Sequence, residues 1–189
     1  MVPTLTAVLG VKGHRPEVGT RDDKDLLYSL GSVNVVDGRL HTSTLPCEVK
    51  PLRKAREAAR KQGQKAPSKT GRLQQAFADH LEAVAKAYPK EEHPRVVLII
   101  DNAPWHRGKL VTEVLKKHEH LELYRLPSYS PSLNVIERLW KALRRRATHN
   151  QLFENLAALT KAVRRGLRYF QTVRSRLMSL IDGCYPEVK

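Results

Sequence analysis

The chain has 189 residues, 41% of them hydrophobic, which is enough to build one folded unit with a core. The two cysteines, Cys47 and Cys184, lie far apart without CxxC spacing or a histidine cluster, which argues against a disulfide framework and a zinc site. No apolar run of about 18 residues and no signal peptide occur, so we expect a cytoplasmic protein with no membrane partner.

The formal net charge of +15 is concentrated in two stretches. Residues 50–75 carry nine Lys/Arg against one acid, and residues 138–176 carry eleven against one, so the remainder of the chain is weakly acidic. Such surfaces attract polyanions, and nucleic acid is the predicted partner. A basic structural protein, such as a ribosomal component, and a merely well-solvated surface remain alternatives.

The first clear element is a β-hairpin. Residues 26–36 have extended character, Asp37-Gly38 is a tight-turn dipeptide, and residues 39–45 can return as the partner strand. Residues 50–70 are basic and lack a sustained apolar stripe, which is typical of a mobile basic loop or a frayed helix.

Helices and buried strands then alternate. Apolar residues recur at helical spacing over residues 73–88, and Pro89 stops that pattern. The continuous β-branched run of residues 96–100 predicts a strand buried on both faces that leads directly into Asp101.

The second half of the chain repeats this alternation. Residues 110–115 predict a helix, residues 121–126 alternate like a strand, and two amphipathic helices follow at 136–143 and 156–170, the last with arginines outward. The order of hairpin, helix, strand, helix, strand and helix predicts an α/β fold with a mixed sheet flanked by helices.

Two acids stand at positions where chemistry is possible. The carboxylate of Asp101 emerges at the end of a central strand, although an aspartate there can equally cap the following turn. Glu137 lies at the edge of the apolar face of its helix, where a solvated glutamate is the ordinary alternative.

The neighbourhoods of both acids form motifs. Residues 101–106 read Asp-Asn-Ala-Pro-Trp-His, and residues 129–140 read Tyr-Ser-Pro-Ser-Leu-Asn-Val-Ile-Glu-Arg-Leu-Trp. Together, with 35 residues between Asp101 and Glu137, they resemble the signatures of mariner-like and bacterial insertion-sequence DNA transposases of the Asp-Asp-Glu kind. The resemblance covers about residues 10–150 and implies a ribonuclease H-like fold. Val135 departs from it, since many relatives have proline there.

The resemblance implies roles for these residues. Asp101 and Glu137 would be the second and third acids of a triad that binds Mg²⁺ or Mn²⁺, because cutting and rejoining a phosphodiester with two metal ions requires oxygen ligands. Asn102, His106 and Asn134 would support the motif. His106 can also be a structural histidine that packs on Trp105 or bonds a backbone carbonyl.

The residues that follow Glu137 are candidates for holding DNA. Trp140 sits on the apolar stripe and is expected in the core rather than stacked on a base. The predicted DNA-binding residues are the basic ones on this helix: Arg138, Lys141, Arg144, Arg145 and Arg146. Their contacts should be to phosphate rather than to base edges.

The first acid of the triad has no equivalent. In the family it stands on the first, central strand, just before the segment that aligns with residues 1–13, and the usual helix-turn-helix DNA reader is also missing. We therefore expect a transposase fragment. It would comprise a catalytic domain at residues 1–150, with a basic insertion at about 50–72, and a basic helical segment at residues 151–189.

The missing strand has consequences for folding and function. We expect facing sheet edges that residues 2–9 fill poorly, so that this chain alone is neither active nor well folded. A catalytically inactive nucleic-acid-binding remnant is the alternative function. A homodimer, association with the nucleoid if the source is bacterial, and no small-molecule substrate complete the expectations.

Overall fold

The computed structural model describes residues 17–19, 24–64, 66, 68–128, 130 and 133–182. Within these ranges the strands and helices are, in chain order, β1 Leu26–Val33, β2 Leu40–Cys47, α1 Val49–Lys61, α2 Lys69–Ala87, β3 Val96–Ile100, α3 Lys109–Lys117, β4 Leu121–Arg125, α4 Ile136–Ala147, α5 Leu156–Thr172 and α6 Arg174–Ile181. A single turn of 3-10 helix, Pro104–His106, follows β3. Residues 2–9, Tyr129, Pro131, Ser132 and Cys184, which figured in the predictions, lie outside these ranges. No helix within them combines the length and apolarity that a membrane crossing requires.

The predicted hairpin is confirmed, with a longer loop than a two-residue turn. β1 and β2 pair antiparallel from Leu26 opposite Cys47 to Val33 opposite Leu40. β1 ends at Val33 because the Asn34 side chain accepts hydrogen bonds from the backbone N–H groups of Val36, at 2.9 Å, and Asp37, at 3.4 Å. Gly38 then turns the chain with a φ of +68°, a conformation that glycine adopts without strain.

The second pair of strands is parallel and packs on two helices. β3 and β4 are in register from Val96 opposite Leu121 to Ile100 opposite Arg125. α2 begins where the Ser68 hydroxyl accepts from the Gly71 N–H at 2.9 Å, and it ends just before Pro89. The core of this half is formed mainly by Phe77, Leu81, Val84, Leu98, Ile100 and Val111.

The expectation that β3 is buried on both faces is wrong. Val97 and Ile99 are 48% and 41% exposed, whereas Leu98 and Ile100, which point to the opposite face, are buried. The reason is that α4, α5 and α6 pack with the hairpin and with one another, so only one face of β3 receives a helical layer.

A second core lies between the hairpin and the last three helices. Its most buried members are Leu139, Leu143, Leu167 and Leu177. α4 and α5 approach closely at Gly166, where a Cβ atom would stand 2.6 Å from Leu143 Cδ1. The separate short helix α6 was not predicted.

The two strand pairs share a cleft. Among the described strands β1 pairs only with β2, and β3 only with β4. Residues of β1 and β3 line a common cleft of about 590 Å³. The described parallel and antiparallel pairs are the pairings expected of a mixed sheet, but they form two two-stranded sheets instead of a continuous one.

α1 decides between the alternatives for residues 50–70. It is a helix of 13 residues, so the mobile-loop interpretation is wrong over Val49–Lys61, although no residue of the helix is buried. α2 then begins at Lys69, inside the range expected for the basic insertion.

A buried histidine beside the cleft makes stability depend on pH. His80 Nε2 lies 2.7 Å from Ser32 Oγ, and burial, followed by the nearby His41 and His106, lowers the pKa of His80 to about 4 from its ordinary 6.5. Because the unfolded chain takes up this proton more readily, the stability from a neutral His80 is fully present above pH 6.5. It is lost as the pH falls towards 4.

We predict that between pH 7 and pH 5 the protein loses about 2 kcal/mol more unfolding free energy than the His80→Gln variant does. Glutamine retains a hydrogen-bonding group for Ser32 but does not titrate, while His41 and His106 are common to both proteins. Urea titrations at the two pH values give the comparison. The same pH dependence in both proteins would show that His80 is not responsible.

Candidate active site

Asp101 stands at the carboxyl end of β3 and has one oxygen committed to local structure. Its Oδ1 accepts hydrogen bonds from the Ala103 N–H at 3.0 Å and from His106 Nδ1 at 3.0 Å. The predicted turn-capping role is therefore real, but it uses Oδ1 alone. Oδ2 makes no hydrogen bond to another described residue, and the side chain is 54% exposed. Asp101 can hold a ligand with the second oxygen while it caps the turn with the first.

The loop after Asp101 is tied to the neighbouring strand. Asn102 Nδ2 donates to the Leu126 carbonyl at 2.7 Å, and the Leu126 N–H donates to the Ile100 carbonyl at 2.9 Å. The backbone bond continues the β3–β4 pairing to Leu126, one residue past β4, and the side-chain bond ties Asn102, two residues past β3, to the same residue. Asn102 thereby fixes where the chain leaves β3.

His106 orients Asp101 from a largely buried position. Its side chain is 13% exposed, and its ring lies 4.2 Å, centroid to centroid, from that of Phe77. Nδ1 is also 3.2 Å from the Asp101 carbonyl oxygen. Since a carboxylate and a carbonyl can only accept, Nδ1 carries the proton in these contacts.

The charge state of His106 follows from its burial. Desolvation lowers the pKa of His106, and the contacts with the backbone and side chain of Asp101 oppose that effect only in part. The imidazole is therefore neutral near pH 7, so the contact is a hydrogen bond and not an ion pair. Both structural alternatives for His106 are found, since the ring also meets Trp105 edge-on at 6.0 Å.

Glu137 lines the cleft between β1 and β3 together with Asp101, and its helix, α4, belongs to the second core. It lies in the first turn of α4, where its N–H donates to the Asn134 carbonyl at 3.0 Å. Asp101, Asn102, Asn134 and Glu137 together line a pocket of about 360 Å³. The half-buried Glu137 carboxylate makes no hydrogen bond or ion pair with another described residue. The fold thus brings together two acids that are far apart in the chain.

Other pocket residues were not predicted. Leu126, Pro127, Ser128 and Ser130 also line it. The position of these residues just after β4 could have indicated them. The carboxyl ends of parallel strands meet at one edge of a sheet, so Pro127, which follows β4, is expected near Asp101, which follows β3.

The five predicted DNA-binding residues divide into two groups. At 100° per residue, Lys141 and Arg144 lie within about 40° of Glu137 on α4, with Arg145 further round, and all three are exposed without a hydrogen-bonded partner among the described residues. Arg138 instead donates to the carbonyls of Leu180 and Asp182, at 3.2 and 3.3 Å.

Arg146 and Trp140 have structural contacts. The Arg146 guanidinium stacks 3.6 Å from the centre of the Tyr169 ring, on the side of α4 away from Glu137. Trp140 is half-buried and fills the space beside Gly31, where a Cβ atom would stand 2.9 Å from the indole. The expectation that Trp140 belongs to the core is supported.

The donor set suits a hard divalent cation but is small. Asp101 and Glu137 provide carboxylate oxygens, the ligands that Mg²⁺ and Mn²⁺ prefer. Within the described ranges no group of three His, Cys, Asp or Glu residues is placed to hold a metal ion. The described residues thus offer two acidic side chains, Asp101 and Glu137, as candidate ligands.

Comparison with known proteins places this geometry in context. Residues 59–160, just over half of the chain, match the family model of the DDE superfamily endonucleases. The chain is 33% identical over 81 residues to the uncharacterized protein y4pE/y4sA of Sinorhizobium fredii and 35% identical over 69 residues to the uncharacterized 39 kDa protein of insertion element IS630 of Shigella sonnei. These matches cover 43% and 36% of this chain, and 56% and 20% of the relatives.

Solved structures show the same fold. The paired-end complex of Mos1 transposase with the left transposon end is similar at a TM-score of 0.50, with 14% identity over 96% of this chain and 52% of that one. The Mos1 mariner paired-end complex with Mn is similar at a TM-score of 0.52, with 16% identity over 98% and 53%. The predicted ribonuclease H-like α/β fold is confirmed, and the chain spans about half the length of the Mos1 chains.

The contact between His106 and Asp101 gives a prediction for metal binding. Removing the imidazole ring with His106→Ala should weaken the affinity for Mn²⁺ about tenfold, because Asp101 loses the donor that orients it. His106→Asn, which keeps a donor near the Nδ1 position, should recover part of that loss. Electron paramagnetic resonance of free Mn²⁺ measures both. Equal affinity in the alanine variant and the parent would remove the positioning role.

Proposed function

Because the family model matches more than half of this chain, the chain belongs to the DDE superfamily endonucleases, and we propose that it is the catalytic core of a DNA transposase. Its reaction would be cleavage of a phosphodiester and transfer of the resulting 3′ end to new DNA. The observation that carries the proposal is the meeting of Asp101 and Glu137 in one pocket.

In this proposal Asp101 and Glu137 hold the cofactor. Asp101 would use Oδ2, the oxygen left free by the turn and by His106, and Glu137 would use its unpaired carboxylate. A bound pair of Mg²⁺ or Mn²⁺ ions would supply the charge that activates the attacking hydroxyl and stabilises the leaving oxygen. His106 and Asn102 position Asp101, and Asn134 fixes the start of α4.

Duplex DNA is the proposed partner. The two similar Mos1 structures are paired-end complexes, one of them with a transposon end. In this chain Lys141 and Arg144 share a face of α4 with Glu137, so phosphates bound to them would lie beside the acids. A homodimer and a location at the nucleoid remain predictions. The division of the chain into two parts at about residue 150 also remains a prediction, and α5 packs on α4 and β2 across that point.

The missing first acid of the triad would be supplied by a strand that lies in the cleft between β1 and β3. That cleft reaches from the backbone of both strands to Asp101 and Glu137, and the apolar Val97 and Ile99 lie open on it. A strand there would pair with the edges of β1 and β3 that no other described strand occupies, and it would join the two sheets. An acid at its end would complete the ligand set.

An inactive DNA-binding remnant is the second candidate. It is favoured by the observation that only two acidic ligands come together within the described ranges. Such a protein would bind duplex DNA through its basic surface without cutting it.

We predict that a protein extended at its amino end by the residues that an in-frame sequence upstream of Met1 would encode melts more cooperatively than residues 1–189. The extended form should also aggregate less. The physical reason is that a strand in the cleft satisfies exposed backbone groups and covers Val97 and Ile99. Calorimetry and light scattering of the two forms provide the test. A short form that melts cooperatively and nicks DNA would show that no further strand is needed.

We further predict that Asp101→Asn and Glu137→Gln each abolish Mg²⁺-dependent nicking of a transposon-end duplex by the extended form, because each removes a ligand charge. The melting temperature should stay within about 4 °C of the parent value, since both side chains are partly exposed. Lys86→Gln, a change at the far end of α2, serves as the control. Nicking that survives either acid substitution would refute the metal assignment.

A further inference from the structure

α1 presents a basic face that is not buried in the described fold. Residues at 100° intervals place Pro51, Leu52, Ala55, Ala58 and Ala59 on one side of the helix. The other side carries one acid, Glu57, among six basic residues: Lys50, Arg53, Lys54, Arg56, Arg60 and Lys61. No residue of α1 is buried, so the charge pattern is not required by packing against the core.

The charges make α1 a weak helix in isolation. Its first turn has no acid and carries Lys50, and the N-cap residue Glu48 makes no side-chain capping bond. Lys50 and Lys54 repel each other at a spacing of four residues, and the Arg53–Glu57 pair, at 3.5 Å, is largely exposed. A helix of 13 residues with no buried residue receives little support from tertiary packing, and a helix of this length is marginal in water by itself. A polyanion along the basic face would remove the repulsion.

The first residues of α1 are held near the amino-terminal end of α2, which also supports the loop after Asp101. The Val49 N–H donates to Asp25 Oδ1 at 2.8 Å, and Arg72, in the first turns of α2, donates to the Pro46 carbonyl at 3.0 Å. Two positions further along α2, Gln74 donates to the Arg107 carbonyl at 2.6 Å, in the loop that follows Asp101. α1 therefore starts from the same end of α2 that supports the Asp101 loop.

We propose that α1 is an arm that binds the phosphate backbone of duplex DNA flanking the Asp101–Glu137 pocket and that its helix is stabilised by this binding. The proposal rests on the proposed function, in which duplex DNA is the substrate. Thirteen residues at 1.5 Å each give a helix about 20 Å long, which matches roughly six base pairs at 3.4 Å. The arm contributes affinity and register, and its contacts are independent of sequence.

The lysines of the arm give a sharp test. Lys50, Lys54 and Lys61 fall within about 40° of one another, all three are exposed, and glutamine keeps the helix propensity. The triple Lys→Gln variant should bind a 30-base-pair duplex at least tenfold more weakly at moderate salt. Its slope of log affinity against log salt should fall by about 2 to 3, because three phosphate contacts are lost.

A matched control removes the same charge elsewhere. Lys86, Lys90 and Lys116 are exposed and lie towards the other ends of α2 and α3, and Lys90 forms only an exposed pair with Glu119 at 3.8 Å. Their triple Lys→Gln variant should keep the parent salt slope to within one unit. An equal loss of DNA affinity in both triple variants would show that the effect comes from net charge alone. That result would refute the proposed role of α1.

Helix content provides an independent readout. Circular dichroism should show a gain of helix when the parent binds duplex DNA and a smaller gain in the variant with the three α1 substitutions. A parent-like salt slope and a parent-like gain in that variant would refute the arm but leave the proposed function standing. A parent protein that binds no duplex DNA at all, even in the form extended at its amino end, would refute both.

Discussion

The geometry of the site depends on the parallel pairing of β3 with β4. That pairing brings Asp101 and Pro127 to the same edge, and the bond from Asn102 to the Leu126 carbonyl prevents the two loops from separating. His106, wedged against Phe77, then fixes the rotation of the Asp101 side chain. A polar group at the end of a strand is thus held by the same apolar core that buries the strand.

Glu137 is positioned by a different core. α4 is held by Leu139 and Leu143, by the close approach of α5 at Gly166, and by Trp140 against Gly31 of β1. The separation of Asp101 and Glu137 is therefore set by how the hairpin half sits on the β3–β4 half. Contacts between the halves include Ser32 with His80 and Asn34 with Tyr88. A strand in the cleft would add backbone pairing to these side-chain bonds.

The sequence predicted most of the elements, although it left α1 ambiguous and missed α6, and it singled out both acids as candidates. Hydrophobic periodicity placed α2 to α5, and the motifs around Asp101 and Glu137 linked residues that no local pattern could connect. The sequence did not predict burial where burial depends on which elements pack against a strand. An apolar run such as residues 96–100 looks the same whether one face of the strand or both are covered. The exposure of Val97 shows that only one face of β3 is covered. α1 was ambiguous because its helix has no apolar stripe facing the core. The bonds from Arg138 to the Leu180 and Asp182 carbonyls could not be foreseen, because α6 was not predicted.

The distribution of charge around the pocket agrees with the proposed function, in which an acidic centre accepts a polyanion. Within the described ranges neither Asp101 nor Glu137 pairs with a lysine or arginine, although the chain carries 34 such residues. An ion pair there would satisfy the carboxylates and compete with a divalent cation for them. The basic residues that can reach phosphate instead stand one or two turns along α4, at Lys141 and Arg144, or on α1. Burial lowers the pKa of His106, which disfavours a positive charge on the side chain that orients Asp101.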